Sequence, residues 1–385
     1  MVSDDSVYHL LRHEIDNRTA NAFPSSDSGL EIRILKQIFT SLEAKIAIQL
    51  SALPEKINRI HKRVTKSGID ISIHELEDLL DGLVRKGGII CEKHLFKKPK
   101  NKMYALVQYV IGIYELQVDK LTKELAADTE RYLHETLIPK FQTTKDYEQL
   151  RTIPVNKSIA VDRYVAHYDN IKEIVKKESG PFVIINCLCR ESKDLLEEPC
   201  KLSNTRRCCI TIGNSAIVSL DLIPSAKEIS KKELFEFLDE FQDIGFVLQP
   251  ENCVSPKFLC VCCGCCCGVL SNYKRLSRPA DFWISNYYAQ VNPDLCNGCG
   301  ICVKRCQMDA IKIVAKKYTI DLNRCFGCGN CVTKCKMNAI TLFKKKKISK
   351  PKRFHKGLYL DFFRKKRGVW GFLKMFGMYL LGKKV

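Results

Sequence analysis

Eight cysteines toward the C-terminal end of the chain stand in two copies of one spacing, C-x2-C-x2-C-x3-C. The copies are VNPDLCNGCGICVKRCQMDAIKI (291–313) and IDLNRCFGCGNCVTKCKMNAITL (320–342), which are 29 residues apart. Three close thiolates on a tight loop suit three corners of an iron–sulfur cubane, and the fourth cysteine ligates the other cluster. One predicted site therefore comprises Cys296, Cys299, Cys302 and Cys335, and the other comprises Cys325, Cys328, Cys331 and Cys306.

Zinc is the alternative metal for these eight thiol ligands. Zinc sites favour two C-x2-C pairs that a longer loop separates, whereas each copy here places four cysteines within eleven residues. The predicted cofactors are therefore two [4Fe–4S] clusters.

A second group of twelve cysteines lies between Cys187 and Cys267 without a regular spacing. Adjacent cysteines cannot all bind one tetrahedral ion, but dense thiols suit a cluster, several metals or a redox-active dithiol. A further iron–sulfur cluster, zinc and thiol–disulfide chemistry all remain open. Arg190 is placed to lower a thiol pKa or to donate to a cluster sulfide. The predicted metal ligands are Cys187, Cys189, Cys200, Cys208, Cys260, Cys262, Cys263, Cys265, Cys266 and Cys267.

On its two cysteine motifs, the segment 290–343 resembles the bacterial-type two-cluster [4Fe–4S] ferredoxins. The resemblance implies a ferredoxin-like βαβ–βαβ fold and one-electron transfer at low potential. That family usually has proline after the fourth cysteine, where this chain has Gln307 and Lys336. Residues 30–343 also resemble a prokaryotic iron–sulfur protein family with an N-terminal winged-helix-like domain. The motifs that carry this wider resemblance are EIRILKQIFTSLEAKIAIQLS, YVIGIYE, NCLCR and VCCGCCCGVL.

Apolar periodicity and capping signals predict an α+β multidomain protein. Three helices (31–51, 55–68 and 72–86) precede two strands, which is the element order of a winged helix. A buried strand at 181–186 and a capping box at Ser230 indicate an α/β middle domain. The predicted segments are a flexible leader (1–29), a winged-helix-like domain with a long helix at 113–137 (30–150), a Cys-rich middle domain (151–290), a two-cluster ferredoxin domain (291–343) and a basic amphipathic tail (344–385).

The N-terminus predicts that the protein is not exported. The stretch MVSDDSVYHLLRHEIDN is polar and lacks the basic and apolar regions of a secretory signal. Thiols of a protein that stays in the cytoplasm are kept reduced, which favours metal ligation over disulfides. No apolar run reaches the roughly 18 residues that a membrane span needs. We therefore predict a cytoplasmic protein.

The tail carries most of the formal net charge of +20. Residues 344–385 hold 15 Lys and Arg against one acid, Asp361. The apolar face of the helix that follows the basic run comprises Val369, Phe372, Leu373, Phe376 and Leu380. Basic side chains are attracted to anionic lipid, and Trp370 is of a type that favours the interface. The tail is predicted to hold the protein peripherally on the inner face of an anionic membrane; a helix packed on the protein itself or on a partner subunit is the alternative.

The first functional hypothesis is an electron-transfer subunit that passes single electrons between a redox partner protein and another acceptor. The alternatives are a redox-sensing winged-helix transcription regulator and a reductase with a substrate site in the middle domain. The helix in the recognition position carries four acids, Glu75, Glu77, Asp78 and Asp81, which would repel DNA. The domain is therefore expected to dock on a protein partner or to form a homodimer rather than to bind DNA. No nucleotide-binding glycine loop and no acid–base pair stands out, so no catalytic residue is predicted.

Overall fold

The computed structural model describes residues 5–92, 102–140, 149–158, 165–314 and 317–385. The chain forms two compact units. The first comprises Met1–Tyr147, Asp221–Pro224 and Tyr359–Val385, and the second comprises Glu148–Leu220 and Ser225–Leu358. The middle and ferredoxin-like segments therefore share the second unit, and most of the tail belongs to the first.

The first unit begins with a helix where the sequence predicts a flexible leader. Helix α1 (Ser6–Arg18) buries Tyr8, Leu11 and Ile15, which recur at helical spacing. The Tyr8 hydroxyl donates to the carbonyl of Phe39 at 3.0 Å. The prediction of a flexible leader is wrong over the helix because a partner distant in the sequence covers its apolar face.

The predicted helix at 31–51 is two helices. Helix α2 (Leu30–Ile38) ends before Thr40, and Thr40 and Glu43 form a capping box that opens α3 (Ser41–Ala47). Capping satisfies backbone N–H groups that a continuous helix would bond internally, so it favours a new start.

The next elements build a small sheet with two helices. They are β1 (Glu55–Lys56), α4 (Ile57–Lys66), α5 (Ile73–Lys86), β2 (Ile90–Cys91) and β3 (Met103–Ala105). The strands are antiparallel in the order β1–β3–β2. The winged-helix assignment stays a prediction, and residues 97–101 of its basic turn lie outside the described residues.

The predicted long helix at 113–137 begins later than predicted, and after Tyr132 it continues as a π-helical turn over Leu133–Leu137. Asp119 adopts a positive φ of 63°, and the Thr122 side chain accepts from the N–H of Leu125 at the start of α6 (Lys123–Tyr132). A left-handed residue interrupts a right-handed helix, so regular structure begins only at this cap.

The second unit is built on a five-stranded antiparallel sheet in the order β6–β4–β5–β9–β7. Its strands and the neighbouring β8 are β4 (Phe182–Asn186), β5 (Arg207–Ile212), β6 (Lys227–Ile229), β7 (Val247–Pro250), β8 (Cys253–Ser255) and β9 (Phe258–Cys262). The helices of this part are α7 (Ile171–Lys177), α8 (Leu188–Leu195), α9 (Asn214–Leu222), α10 (Lys231–Ile244) and α11 (Gly268–Lys274). A core of Ile, Leu, Val and Phe side chains packs on this sheet and includes Cys187, Cys200, Cys208, Cys263 and Cys266.

The two cysteine repeats form two strand pairs around one small core. The elements are β10 (Tyr287–Val291), α12 (Ile301–Arg305), β11 (Ile311–Val314), β12 (Lys317–Ile320) and β13 (Ile340–Lys344). Strand β10 pairs antiparallel with β13, and β11 pairs antiparallel with β12, so the start of one repeat meets the end of the other. The shared core includes Ala289, Ala310 and Ile340.

The last elements are β14 (Lys352–Phe354), which pairs parallel with β8, and α13 (His355–Leu380), which is interrupted at Gly368. In the first unit, Met375 of α13 is buried and the Tyr379 hydroxyl donates to the carbonyl of Pro54 at 2.7 Å. The predicted apolar face is divided: Phe372 and Phe376 are half-buried, whereas Val369, Leu373 and Leu380 are exposed. No helix in the described part of the chain has both the length and the apolar content that crossing a bilayer demands.

Candidate metal centres

The structure brings four of the predicted ligands together around one cavity with an empty volume of about 350 Å³. These are Cys296, Cys299, Cys302 and Cys335. Three come from the first repeat and the fourth comes from the second, because β10 and β13 lie side by side. The grouping is the one that the crossed spacing predicts, and ligation itself stays a prediction.

The other four predicted ligands line a second cavity, whose empty volume is about 430 Å³. They are Cys306, Cys325, Cys328 and Cys331. The N–H of Ala289 donates to the Cys325 sulfur at 3.5 Å, and that of Ala310 donates to the Cys306 sulfur at 3.2 Å. Backbone donors aimed at sulfur suit thiolate ligands, so the residues present fit a bound cluster.

A glycine in the second cavity lets the backbone at Gly327 approach the backbone of Tyr287 closely. Gly327 has a φ of +62°, and a Cβ there would lie 2.1 Å from the carbonyl oxygen of Tyr287. The equivalent glycine of the first cavity, Gly298, has a φ of +75° and would meet nothing within 4 Å. Glycine is therefore required at Gly327 both for conformation and for space.

The two cavities differ in their exposure to solvent. Burial raises the pKa of Cys328 to about 12 and also raises the pKa of Cys325 above its ordinary value. Without metal these thiols are neutral near pH 7, and binding must release their protons. By contrast, Cys299 of the first cavity is exposed, as are the nearby side chains of Leu295 and Met337.

Four middle-domain cysteines form a compact group, which we name the four-thiol site. Their Sγ atoms all lie within 4.8 Å of one another, and the members are Cys200, Cys263, Cys265 and Cys266. A hydrogen bond from the Cys263 thiol lowers the pKa of Cys200 to about 5. Four sulfurs this close suit one tetrahedral metal ion, because the four thiolates that hold a cubane lie farther apart.

The structure does not bring the other six predicted middle-domain ligands into this site. Cys187, Cys189, Cys208, Cys260, Cys262 and Cys267 contact one another instead. Cys209, which was not predicted as a ligand, joins them through contacts with Cys187 and Cys260. Cys253 stands apart, and its thiol donates to Glu251 at 3.4 Å. All 21 cysteines lie in the described part of the chain and are free thiols.

Arg190 is fully buried among these thiols, with 1% of its surface exposed. Its guanidinium donates to the sulfur of Cys208, to the carbonyl of Val261 at 3.2 Å and to the sulfur of Cys263 at 3.8 Å. Although burial opposes the charge, the neighbouring thiolates raise the pKa of Arg190 above its ordinary value. Arg190 is therefore a fixed cation that contacts both groups of middle-domain thiols.

One hydrogen bond joins the four-thiol site to the second ferredoxin-like cavity. The N–H of Gly264, between Cys263 and Cys265, donates to Oε1 of Gln307 at 2.9 Å. Gln307 directly follows Cys306 and is buried. The sequence marks Gln307 only as a departure from the usual proline, whereas the structure shows what its amide contacts.

The same junction contains further polar contacts. Asn330, beside Cys331, donates to the carbonyl of Gly245 at 2.7 Å, and Arg305, beside Cys306, donates to the carbonyl of Ile244 at 2.7 Å. The ferredoxin-like module is thus hydrogen-bonded to the middle domain through residues that are adjacent to its own predicted ligands.

A family described as a 4Fe-4S dicluster domain matches residues 295–340. The match supports a ferredoxin-type module that binds iron–sulfur cofactors, and it includes all eight cysteines of the two repeats. No curated protein and no solved structure matches the chain.

Proposed function

We propose that this chain is an electron-transfer protein that carries single electrons through two [4Fe–4S] clusters and one further centre in its middle domain. The observation that carries the proposal is that the eight repeat cysteines line two cavities, four in each, within the segment that matches the dicluster family. When bound, the clusters supply reversible one-electron chemistry.

The residues between the sites define an electron route. It runs from the four-thiol site through Gly264 and Gln307 to Cys306 of the second cavity. Val247 of the middle-domain sheet also lines that cavity. A short bonded path and exclusion of water both favour transfer between centres over loss of electrons to solvent.

The first cavity is the exit toward a redox partner protein. Met337 lines this cavity together with Cys299, and the side chains of Met337, Leu295 and Val303 are exposed on the same module. An exposed apolar rim next to a ligand is the surface through which a partner approaches closely. The second cavity, whose thiols are more deeply buried, serves as the internal relay.

Helices α3 to α5 and strands β1 to β3 act as a docking or dimerisation element. The regulator alternative requires α5 to approach phosphates, yet Glu75 and Asp78 on α5 are exposed. Asp81 accepts a hydrogen bond from the Tyr104 hydroxyl at 2.6 Å and so serves the fold. The exposed acids repel DNA.

Helix α13 attaches the protein to an anionic membrane surface. Its exposed apolar side chains are Val369, Trp370, Leu373 and Leu380, and the exposed Leu381 directly follows the helix. Trp370 is 84% exposed, and Lys374 is exposed on the same side of the helix. An apolar stripe with aromatic and basic residues suits the interface between lipid headgroups and acyl chains.

A reductive titration tests the electron-transfer proposal. Anaerobically purified full-length protein is titrated with dithionite while the loss of visible absorbance is counted in electrons per chain. At least about two electrons are expected for the module, one per cubane, and reoxidation should restore the spectrum. A colourless protein that contains zinc, or one that accepts no electron reversibly, overturns the proposal.

A further inference from the structure

The middle-domain cysteines form two groups by direct thiol contact. The first is the four-thiol site. The second, which we name the seven-thiol site, comprises Cys187, Cys189, Cys208, Cys209, Cys260, Cys262 and Cys267. Among the described residues, the direct thiol contacts stay within each group.

The backbone explains how neighbouring cysteines enter different groups. Cys262 ends β9 and Cys263 follows it, and successive residues of an extended chain point to opposite sides. Cys262 therefore joins the seven-thiol site and Cys263 the four-thiol site. Cys266 and Cys267 also enter different groups, at the position where the chain turns into α11.

Sheet topology assembles the seven-thiol site from three adjacent strands. Cys187 follows β4, which pairs with β5 such that Ile185 faces Cys209. The register then shifts, so Cys208 is an extra residue in a bulge. Bulges re-aim side chains, and this one directs two successive cysteines to contact Cys187. Strand β9, on the other side of β5, supplies Cys260 and Cys262.

The contacts among the seven thiols are arranged differently from those of the four-thiol site. Six of the thiols form a closed ring of pairwise contacts in the order 187, 189, 267, 262, 260 and 209. Cys208 attaches to this ring at Cys187 and Cys209. A single ion needs its ligands mutually close, as in the four-thiol site, whereas a ring distributes them around a perimeter.

The side chain of Arg190 gives an independent indication that a ligand binds among these thiols. Its Nε–H is buried and has no hydrogen-bond partner among the described residues. A buried donor without an acceptor is costly, and an arginine N–H beside thiolates suits a cluster sulfide. Nη1 of the same guanidinium donates to Cys208 of the seven-thiol site and Nη2 donates to Cys263 of the four-thiol site, so this donor lies where the two groups meet.

We propose that the seven-thiol site binds its own polynuclear iron–sulfur cluster, separate from the centre of the four-thiol site. Seven sulfur donors exceed the four that zinc or a single cubane takes from a protein. Cys262 and Cys267 lie across the ring from Cys187, and Cys267 directly precedes α11. The proposal goes beyond the electron route through Gln307, so each can fail without the other.

Metal analysis of full-length variants tests the proposal. Iron, acid-labile sulfide and zinc are counted per chain in the wild type, in the pair Cys262→Ser/Cys267→Ser and in the pair Cys265→Ser/Cys266→Ser. Cys253→Ser is the matched control, because Cys253 is buried in the same domain but contacts neither group. Circular dichroism confirms that each variant is folded.

Cys262→Ser/Cys267→Ser should lose iron and sulfide, whereas Cys265→Ser/Cys266→Ser should lose the metal ion of the four-thiol site and keep the sulfide. The combined variant should lose the sum of the two losses, while Cys253→Ser keeps the wild-type content. The two clusters of the ferredoxin-like module remain as a reducible signal in every variant. Unchanged iron in Cys262→Ser/Cys267→Ser overturns the proposal, as does a loss of zinc. If Cys265→Ser/Cys266→Ser also removes the middle-domain sulfide, the two groups form one site and the proposal fails. An absent module signal in the wild type would instead refute the electron-transfer function.

Discussion

Replacing Gln307 with leucine removes the hydrogen bond that joins the two cysteine-rich parts of the second unit. The N–H of Gly264 then loses its acceptor at 2.9 Å, in a place where Gln307 is only 8% exposed. An unsatisfied buried donor costs about 1–3 kcal/mol. Leucine has a similar size to glutamine, so little packing is lost and the hydrogen bond dominates.

This free energy converts into a measurable thermal shift. The midpoint of unfolding should fall by roughly 2–12 °C, taking about 2–4 °C per kcal/mol for a unit of this size. Anaerobic melts followed by circular dichroism and visible absorbance measure it. Iron content should not change, because Gln307 is adjacent to a ligand without being one.

Lys336→Leu is the matched control for this substitution. Lys336 occupies the position after the fourth cysteine of the second repeat, as Gln307 does in the first, but its side chain is exposed. Its replacement should shift stability by no more than about 0.5 kcal/mol. Equal and small effects of the two variants would show that the Gly264 contact does not stabilise the junction.

Three further predictions concern other parts of the chain. Gly327→Ala should lose about four irons because its Cβ has no space, whereas Gly298→Ala, with a similar φ, should keep them; equal losses would refute the steric argument. Full-length protein should float with anionic vesicles, and the variant Trp370→Ser/Leu373→Ser should not float. Ile313→Ser, which changes an exposed apolar residue elsewhere, should float like the wild type. A wild type that stays at the bottom of the gradient contradicts membrane attachment. Selection of DNA by the full chain should enrich no site, and recovery of one tight motif at physiological salt would favour the regulator alternative.

Local signals predicted the regular elements well. The predicted helix at 72–86 is α5, which ends at Lys86 before Gly87 with a φ of 80°. The Ser230 capping box opens α10, which stops at Gly245. These signals act within a few residues, so the sequence alone contains them.

Elements that depend on distant contacts were missed. Helix α1 is polar on average and is held by its contact with Phe39, which no local pattern reveals. The break between α2 and α3 did have a signal, since Thr40 and Glu43 have the spacing of a capping box. The strong apolar periodicity across that stretch concealed it.

The ferredoxin-like cavities could be predicted from local spacing, whereas the grouping of the middle-domain cysteines depends on distant contacts. The regular repeats predicted which cysteines line each ferredoxin-like cavity, because the spacing encodes the crossing. The division of the middle-domain cysteines depends on the bulge at Cys208 and on the pairing of β5 with β9. Neither can be derived from spacing, and Cys209 was therefore overlooked.

The central claim is that each cluster of the module is held across the two repeats, and the EPR spectrum of reduced Cys306→Ser protein tests it most directly. The reference spectra are those of Cys328→Ser, which disturbs the second cavity, and Cys299→Ser, which disturbs the first. Cys306→Ser should reproduce the spectrum of Cys328→Ser although Cys306 belongs to the first repeat, and the coupling between two clusters should be lost. A spectrum that matches Cys299→Ser instead would contradict the crossed arrangement.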